Sequence, residues 1–241
     1  MTNSVLLNNV THKDLRVKTG YSAEFGDSIN SCIVFPTEFA YVQREYPIVF
    51  RRDTQGDLQP IALLGFDADE NLFLDENGWN ARYVPAIQQR GPFMIGLPKG
   101  GSVEDRPGAM INIDLDHPRI SQTEGEPVFL PQGGNSPYLE RMSRVLQLIY
   151  DGAGVTRPMI AAFEEAGLIE SVDVNVELKR GPKFRMSGLL TISQEKLAGL
   201  DGDRLARLNS AGYLQLAVLA MASVGNISWL VDLKNRKRAA A

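Results

Sequence analysis

Val172, Val174, Val176 and Leu178 alternate with Asp173, Asn175, Glu177 and Lys179. After Arg180-Gly181-Pro182 the alternation resumes, with Phe184 and Met186 set between Lys183 and Arg185. Period-two patterning on both sides of a Gly-Pro turn specifies a β-hairpin with one wet face and one apolar face. That apolar face must be covered by other parts of the chain, so the fold has to contain a sheet with something packed on it. With 241 residues, 44% of them hydrophobic, the chain can supply that cover from within. A domain of this size buries roughly 70–75% of the surface its unfolded chain exposes.

The cover is readable on either side of the hairpin. Ser136 followed by Pro137 marks a helix start, since Ser caps free N–H groups and Pro has none to lose. Tyr138, Met142, Val145 and Ile149 then recur at helical spacing, with Glu140, Arg141 and Arg144 turned away. Gly152 and Gly154 are expected to end this helix. A second one is expected from about Pro158 to Ala166, stopping at Gly167. Beyond Ser193 the chain turns helical again, with Asp201 or Asp203 as N-cap for a helix carrying Leu205, Leu208, Leu216 and Leu219. Gly212 inside it would cost about 1 kcal/mol relative to Ala.

The first half is β-rich. Strands are expected over Ala40–Arg51, Ile61–Phe66, Asn71–Leu74, Phe93–Leu97 and Met110–Leu115, with Pro47 placing the first at an edge or bulge. Pro98–Gly108 has the glycine, proline and charge of a loop. The fold class is α+β: a β-rich N-terminal half with a mixed or antiparallel sheet, then helices and a hairpin. No repeat is visible, and Gln132–Asn135 is too short to be a flexible linker. The expectation is one domain, residues 1–241, with a β-rich lobe over about 1–132 and a mixed lobe over about 133–241.

Charge and cysteine content exclude several classes. Net charge is −4, so the broad positive field of a nucleic-acid binder is missing, and the basic run Lys234, Arg236, Lys237, Arg238 reads as a solvated end. Cys32 has no partner for an internal disulfide, which fits a reducing, cytoplasmic compartment. Met1–Val10 has neither the basic nor the apolar region of a secretory signal. The most apolar stretch, Ala211–Val224, falls short of the roughly 20 residues of a membrane span and reads as a buried core helix.

Reactive groups are few. His12 and His117 are the two histidines, and neither begins an H-x-D/E motif for non-haem iron. On a strand, Asp114 and Asp116 would share a face and could hold a divalent ion with Glu124 or Glu126; a solvated strand end before Pro118 is the plainer reading. Asp67, Asp69 and Asn71 imitate a calcium loop, but Leu72 and Gly78 stand where Gly and Glu are required. Lys99-Gly100-Gly101-Ser102 lacks the complete phosphate-loop pattern, and no G-x-S-x-G occurs. Cys32 sits in apolar surroundings that leave a thiol inert. No cofactor is indicated.

The best recognition chemistry lies in two segments. Tyr46, Trp79 and Tyr83 bring amphipathic rings, and Gln43, Arg82 and Arg90 bring hydrogen-bonding groups, the residue types enriched at binding hot spots. Should Phe39–Phe50 and Gly78–Phe93 be neighbours, they could form a peptide groove, with strand addition near Pro47. Ordinary core packing, with the polar tips satisfied, explains the same residues.

The order of segments resembles the SapC-like bacterial family. The resembling pieces include Asn8–Val17, Glu45-Tyr46-Pro47-Ile48-Val49-Phe50, Leu63-Leu64-Gly65, and the stretch Gly212–Asn226. Most specific is the block running Asn71-Leu72-Phe73-Leu74, Gly78-Trp79, Tyr83-Val84-Pro85-Ala86, Pro92-Phe93. The resemblance covers nearly the whole chain and implies an accessory role in surface-layer or outer-membrane export or uptake, with no catalytic residues to carry over. The leading expectation is therefore a non-catalytic protein that binds a peptide or protein partner. An enzyme acting on a peptide or small molecule, with a metal at Asp114 and Asp116, is the alternative. A structural subunit whose apolar C-terminal helix packs on a second copy is a third reading.

Overall fold

The computed structural model describes residues 3–96, 110–178 and 183–240. Leu97 at the end of one expected strand, the Pro98–Gly108 loop with its Lys99–Ser102 segment, and the Arg180-Gly181-Pro182 turn lie outside these residues. Strands in chain order are β1 (Ser4–Leu6), β2 (Arg16–Val17), β3 (Ser31–Ile33), β4 (Ile48–Arg52), β5 (Leu58–Leu63), β6 (Leu74–Asp75), β7 (Gly78–Trp79), β8 (Phe93–Gly96), β9 (Met110–Asp114), β10 (Ile120–Ser121), β11 (Glu126–Pro127), β12 (Ile169–Glu177) and β13 (Lys183–Ile192). The helices are α1 (Phe39–Val42), α2 (Ala86–Gln89), α3 (Pro137–Glu165), α4 (Gln194–Ala198), α5 (Gly202–Ser210), α6 (Tyr213–Ser223) and α7 (Ile227–Ala240). The chain is α+β, and the sheets are antiparallel throughout the described residues.

Contacts group the chain into two compact units, each made of two stretches: residues 1–27 with 86–150, and residues 28–85 with 151–241. The boundary expected near residue 132 is therefore not where the contacts divide. Sheet pairing is the reason, because β4 in the first half of the chain takes β13 from the second half as its neighbour.

In the first unit β9 lies between β1 and β8, and β2 lies between β10 and β11. The start of α3 packs Tyr138, Leu139, Met142 and Leu146 against Phe93, Ile113 and Val128, as its apolar stripe requires. Ser136 caps α3 by accepting the Leu139 N–H at 3.1 Å. A buried ion pair pins the chain: Arg119 donates to both oxygens of Asp27 at 2.9 and 2.7 Å, its guanidinium within 5 Å of the Tyr21 and Phe25 ring centres (4.9 and 4.8 Å).

The second unit is built on a five-stranded sheet of order β12-β13-β4-β5-β3. The hairpin read from the alternation is its β12–β13 pair, with Val174, Val176 and Leu178 buried. A bulge between Val172 and Val174 twists β12, and Asp173, Asn175 and Glu177 are exposed along it, two devices that protect an outer strand from pairing with other chains. Phe163 of α3 meets Phe50 of β4 edge to face, with ring centres 6.2 Å apart. β13 pairs with β4 at Leu189–Arg51 and Leu190–Phe50; the Ile48 N–H bonds instead to the Ser223 hydroxyl of α6 at 2.8 Å.

Several expected boundaries move, each for a local reason. Ala40–Arg51 is not one strand: Pro36 and a Glu38 side chain bonded to the Phe35 N–H (3.0 Å) start a helical turn that continues into α1. Pro47 stands just before the first residue of β4, where no bulge occurs; β13 reaches β4 only at Phe50 and Arg51, so beside Pro47 that side of the strand meets Ser223 and no other strand. The strand expected over Ile61–Phe66 is β5 and starts earlier; Pro60 within it still offers its carbonyl to the Val34 N–H at 3.1 Å. Asn71–Leu74 is largely turn. The two helices expected around Gly152–Pro158 are one, α3, because Gly152 is needed for close packing and Pro158 is carried inside the helix. Gly212, with φ +75°, separates α5 from α6 where one helix was expected.

Candidate functional site

The turn at Pro36 drops Glu38 into the interior of the second unit, where it is fully buried. One carboxylate oxygen takes the Phe35 N–H and the other accepts from the Tyr83 hydroxyl at 2.7 Å. Tyr46, also fully buried, donates its hydroxyl to the Tyr83 carbonyl at 2.6 Å and accepts from the Trp79 indole N–H at 2.9 Å. Phe73 packs on the Tyr46 ring with centres 4.5 Å apart. Burial pushes the Tyr83 hydroxyl well above the ordinary tyrosine value, and the neighbouring Glu38 charge and hydrogen bond push it further. A charged carboxylate can stay inside a protein only with such donors around it, so these bonds have a structural purpose as well.

The structure thus brings Gln43, Tyr46, Trp79, Arg82 and Tyr83 together in one unit. Gln43 gives its carbonyl to the Asn226 side chain at 2.8 Å, and the Arg82 N–H bonds Glu45 at 2.9 Å. Arg90 belongs to the other unit, at the end of α2, where its guanidinium donates to the Phe93 carbonyl at 2.8 Å. What the cluster turns outward is chiefly Tyr41, which is 49% exposed, stacks on Tyr83 at 5.3 Å and carries the Arg44 guanidinium at 5.6 Å.

A larger concavity of the same unit opens between β3, β5 and one flank of α3, with a volume of about 470 Å³. Its apolar wall is Ile33, Val34, Leu58, Pro60 and Ile160; Arg52, Asp57 and Arg157 stand at its polar side. Small residues on the α3 flank make the space: Ala153, Thr156 and Ala161 line it. Just N-terminal to them Gly152 allows the helix to approach β3's extension so closely that a Cβ there would lie 2.5 Å from Phe35 Cβ and Thr37 Oγ1. On the polar side Arg157 pairs with Asp57 at 3.2 Å and Arg52 bonds the Gly56 carbonyl at 2.8 Å, both at the solvent-exposed rim.

β3 is an edge of the five-stranded sheet. The Val34 N–H bonds Pro60, and Asn30 accepts from Leu64 at 2.7 Å, so these residues face β5. By antiparallel alternation the backbone groups of Ser31 and Ile33 then face away from β5. Ile33 is 37% exposed at that edge. An extended segment laid there would have both a ladder to join and a cavity for its side chains. None of the groove residues stood out in the sequence, because they come from three separate segments, around residues 33–35, 52–60 and 153–164; the concentration of small residues over 152–161 was the available signal.

The other candidates are occupied by the chain itself. Asp114 accepts the N–H groups of Asn3 (3.0 Å) and Asp116 (3.2 Å), Asp116 accepts from the Asn3 amide at 3.4 Å, and Glu124 pairs with Lys18 at 2.8 Å. Among the described residues no group of three or more His, Cys, Asp or Glu gathers as a metal site. Cys32 is buried, and burial raises its thiol above the ordinary value, with Glu38 adding to the effect. Asp67 and Glu70 of the acidic turn hold the Lys234 ammonium, at 2.6 and 2.5 Å.

A family model described as SapC matches residues 7–230, nearly the whole chain. No curated protein and no solved structure matches it.

Proposed function

The chain belongs to the SapC family, and from that premise we propose that it is a non-catalytic accessory protein that binds an extended segment of a protein partner in surface-layer or outer-membrane export or uptake. The observation that carries this reading is the groove of about 470 Å³ beside the outward-facing backbone of Ser31 and Ile33. Pockets of this size suit side-chain capture, and a sheet edge supplies main-chain hydrogen bonds without regard to sequence. Together they give affinity from the ladder and selectivity from the cavity.

Selection of a displayed random-peptide library on the full chain tests it. Ala153→Arg and Ala161→Arg place long side chains in the groove from exposed helix positions. Peptides enriched on the unsubstituted chain should lose capture by these variants. No enrichment, or peptides that bind the blocked variants equally well, would refute the groove.

Exposed Tyr41, stacked on half-buried Tyr83 and flanked by Arg44 and Arg82, supports a second place for the partner. Trp79→Ala together with Tyr83→Ala separates the two: a folded double variant that loses capture, when the blocked-groove variants keep it, would move the partner to the aromatic surface.

A further inference from the structure

We propose that the cleft between the end of α3 and the α5–α6 turn binds a free α-amino acid with an apolar side chain, its carboxylate on Arg207 and Arg204 and its ammonium on Glu165. This inference is independent of the peptide groove, which opens on the other flank of α3. The groove takes Ala153, Arg157, Ile160 and Glu164 from that helix, whereas the cleft takes Ala162, Glu165 and Ala166. At 3.6 residues per turn the two sets point to roughly opposite sides of the helix.

The cleft has a volume of about 350 Å³, within the roughly 300–1,000 Å³ of small-molecule sites. Its second wall is α5 with its C-cap, where Arg204, Arg207, Leu208 and Ala211 follow at i, i+3, i+4 and i+7 and so share one face. Gly212, at φ +75°, then turns the chain, and half-buried Tyr213 at the start of α6 completes the lining. Ala162, Ala166 and Ala211 leave space that larger side chains would fill, and buried Leu208 gives that space an apolar floor.

Both signs of charge line this opening without meeting. Among the described residues Glu165 and Arg207 make no ion pair and no side-chain hydrogen bond, and Arg204 has only a loose pair with Asp201, at 3.6 Å. A purely anionic ligand would face Glu165, and a purely cationic one would face the two guanidinium groups, so the complement is a molecule that carries both charges. An α-amino acid carries them on one carbon. Its carboxylate suits the guanidinium fork, and its ammonium donates charge-assisted hydrogen bonds to a carboxylate. Its side chain then lies against Leu208 and the Tyr213 ring, which favours an apolar one.

The test is isothermal titration calorimetry of the full chain with L-leucine and with L-phenylalanine. At least one should bind saturably at a single site, and glycine, with no side chain to reach the floor, should bind about tenfold or more weakly. For whichever binds, the analogue without the ammonium (isocaproate or phenylpropionate) and the analogue without the carboxylate (isoamylamine or phenethylamine) should each lose about tenfold or more. Arg207→Gln and Glu165→Gln, both at exposed helix positions, should each weaken binding to the same extent with the unfolding temperature unchanged. Ala153→Arg, which blocks the peptide groove, should leave it intact. Binding of neither amino acid overturns the proposal. An ammonium-free analogue that binds as tightly as its amino acid also overturns it, since the cleft would then be an anion site only. Binding that survives both Arg207→Gln and Glu165→Gln overturns it too, because the ligand would then sit elsewhere.

Discussion

Tyr83 shows how one residue can serve both packing and presentation. Its hydroxyl points inward to Glu38 while its ring stacks on the exposed Tyr41. Residue types pointed to Gln43, Tyr46, Trp79, Arg82 and Tyr83, which share a unit, and also to Arg90, which lies in the other one; they could not say which polar tips turn inward, since that depends on Glu38, which looks like an ordinary surface acid. The raised Tyr83 value has a consequence for stability. The folded chain holds the proton more tightly than the unfolded one, so this contribution is complete below the ordinary tyrosine value of 10.0 and is lost as pH rises above it. Denaturant unfolding of Tyr83→Phe should therefore show a smaller loss of stability above about pH 10 than the unsubstituted chain. Equal losses would mean that Tyr83 is not held neutral by burial and Glu38. Cys32, buried and with its thiol raised, should stay unlabelled by a thiol reagent at neutral pH until the protein is unfolded; rapid labelling of the native chain would contradict that burial.

Elements with a strong period were legible: the β12–β13 hairpin and the apolar stripe that opens α3 follow from alternation and from helical spacing. Breaks were harder, because glycine and proline mark a boundary only when the tertiary setting lets them. Gly152 and Gly154 were read alike, yet α3 runs through both, and the structure separates their roles. A Cβ at residue 152 meets Phe35 and Thr37 at 2.5 Å, whereas at residue 154 nothing lies within 4 Å. Gly152→Ala should destabilise by about 1–3 kcal/mol through overpacking. Gly154→Ala should stabilise by about 0.5–1 kcal/mol, since alanine in a helix loses less backbone freedom. Thermal and denaturant unfolding of the two variants checks this, and effects of the same sign would refute the distinction. At α7 the attachment to the acidic turn is electrostatic: Lys234 is buried between Asp67 and Glu70. Lys234→Ala should cost about 2 kcal/mol, the scale of a hydrogen bond to a charged group, and should speed proteolysis near residue 234.

At the scale of the molecule, sequence reading reached the α+β class and the family, but not the grouping of the chain into two units that each take two stretches. Local patterns record which face of a strand or helix is apolar; they carry no information on which distant strand becomes its neighbour. The pairing of β4 with β13 and the meeting of β3, β5 and α3 were invisible for that reason, and the groove was invisible with them. The proposed function stands on that groove and on the open edge next to it. Its most direct test is amide hydrogen exchange at Ser31 and Ile33, measured on the full chain with and without a peptide selected on it. Strand addition predicts that exchange at both amides slows when the peptide is bound. Unchanged exchange there under saturating peptide would contradict binding along β3.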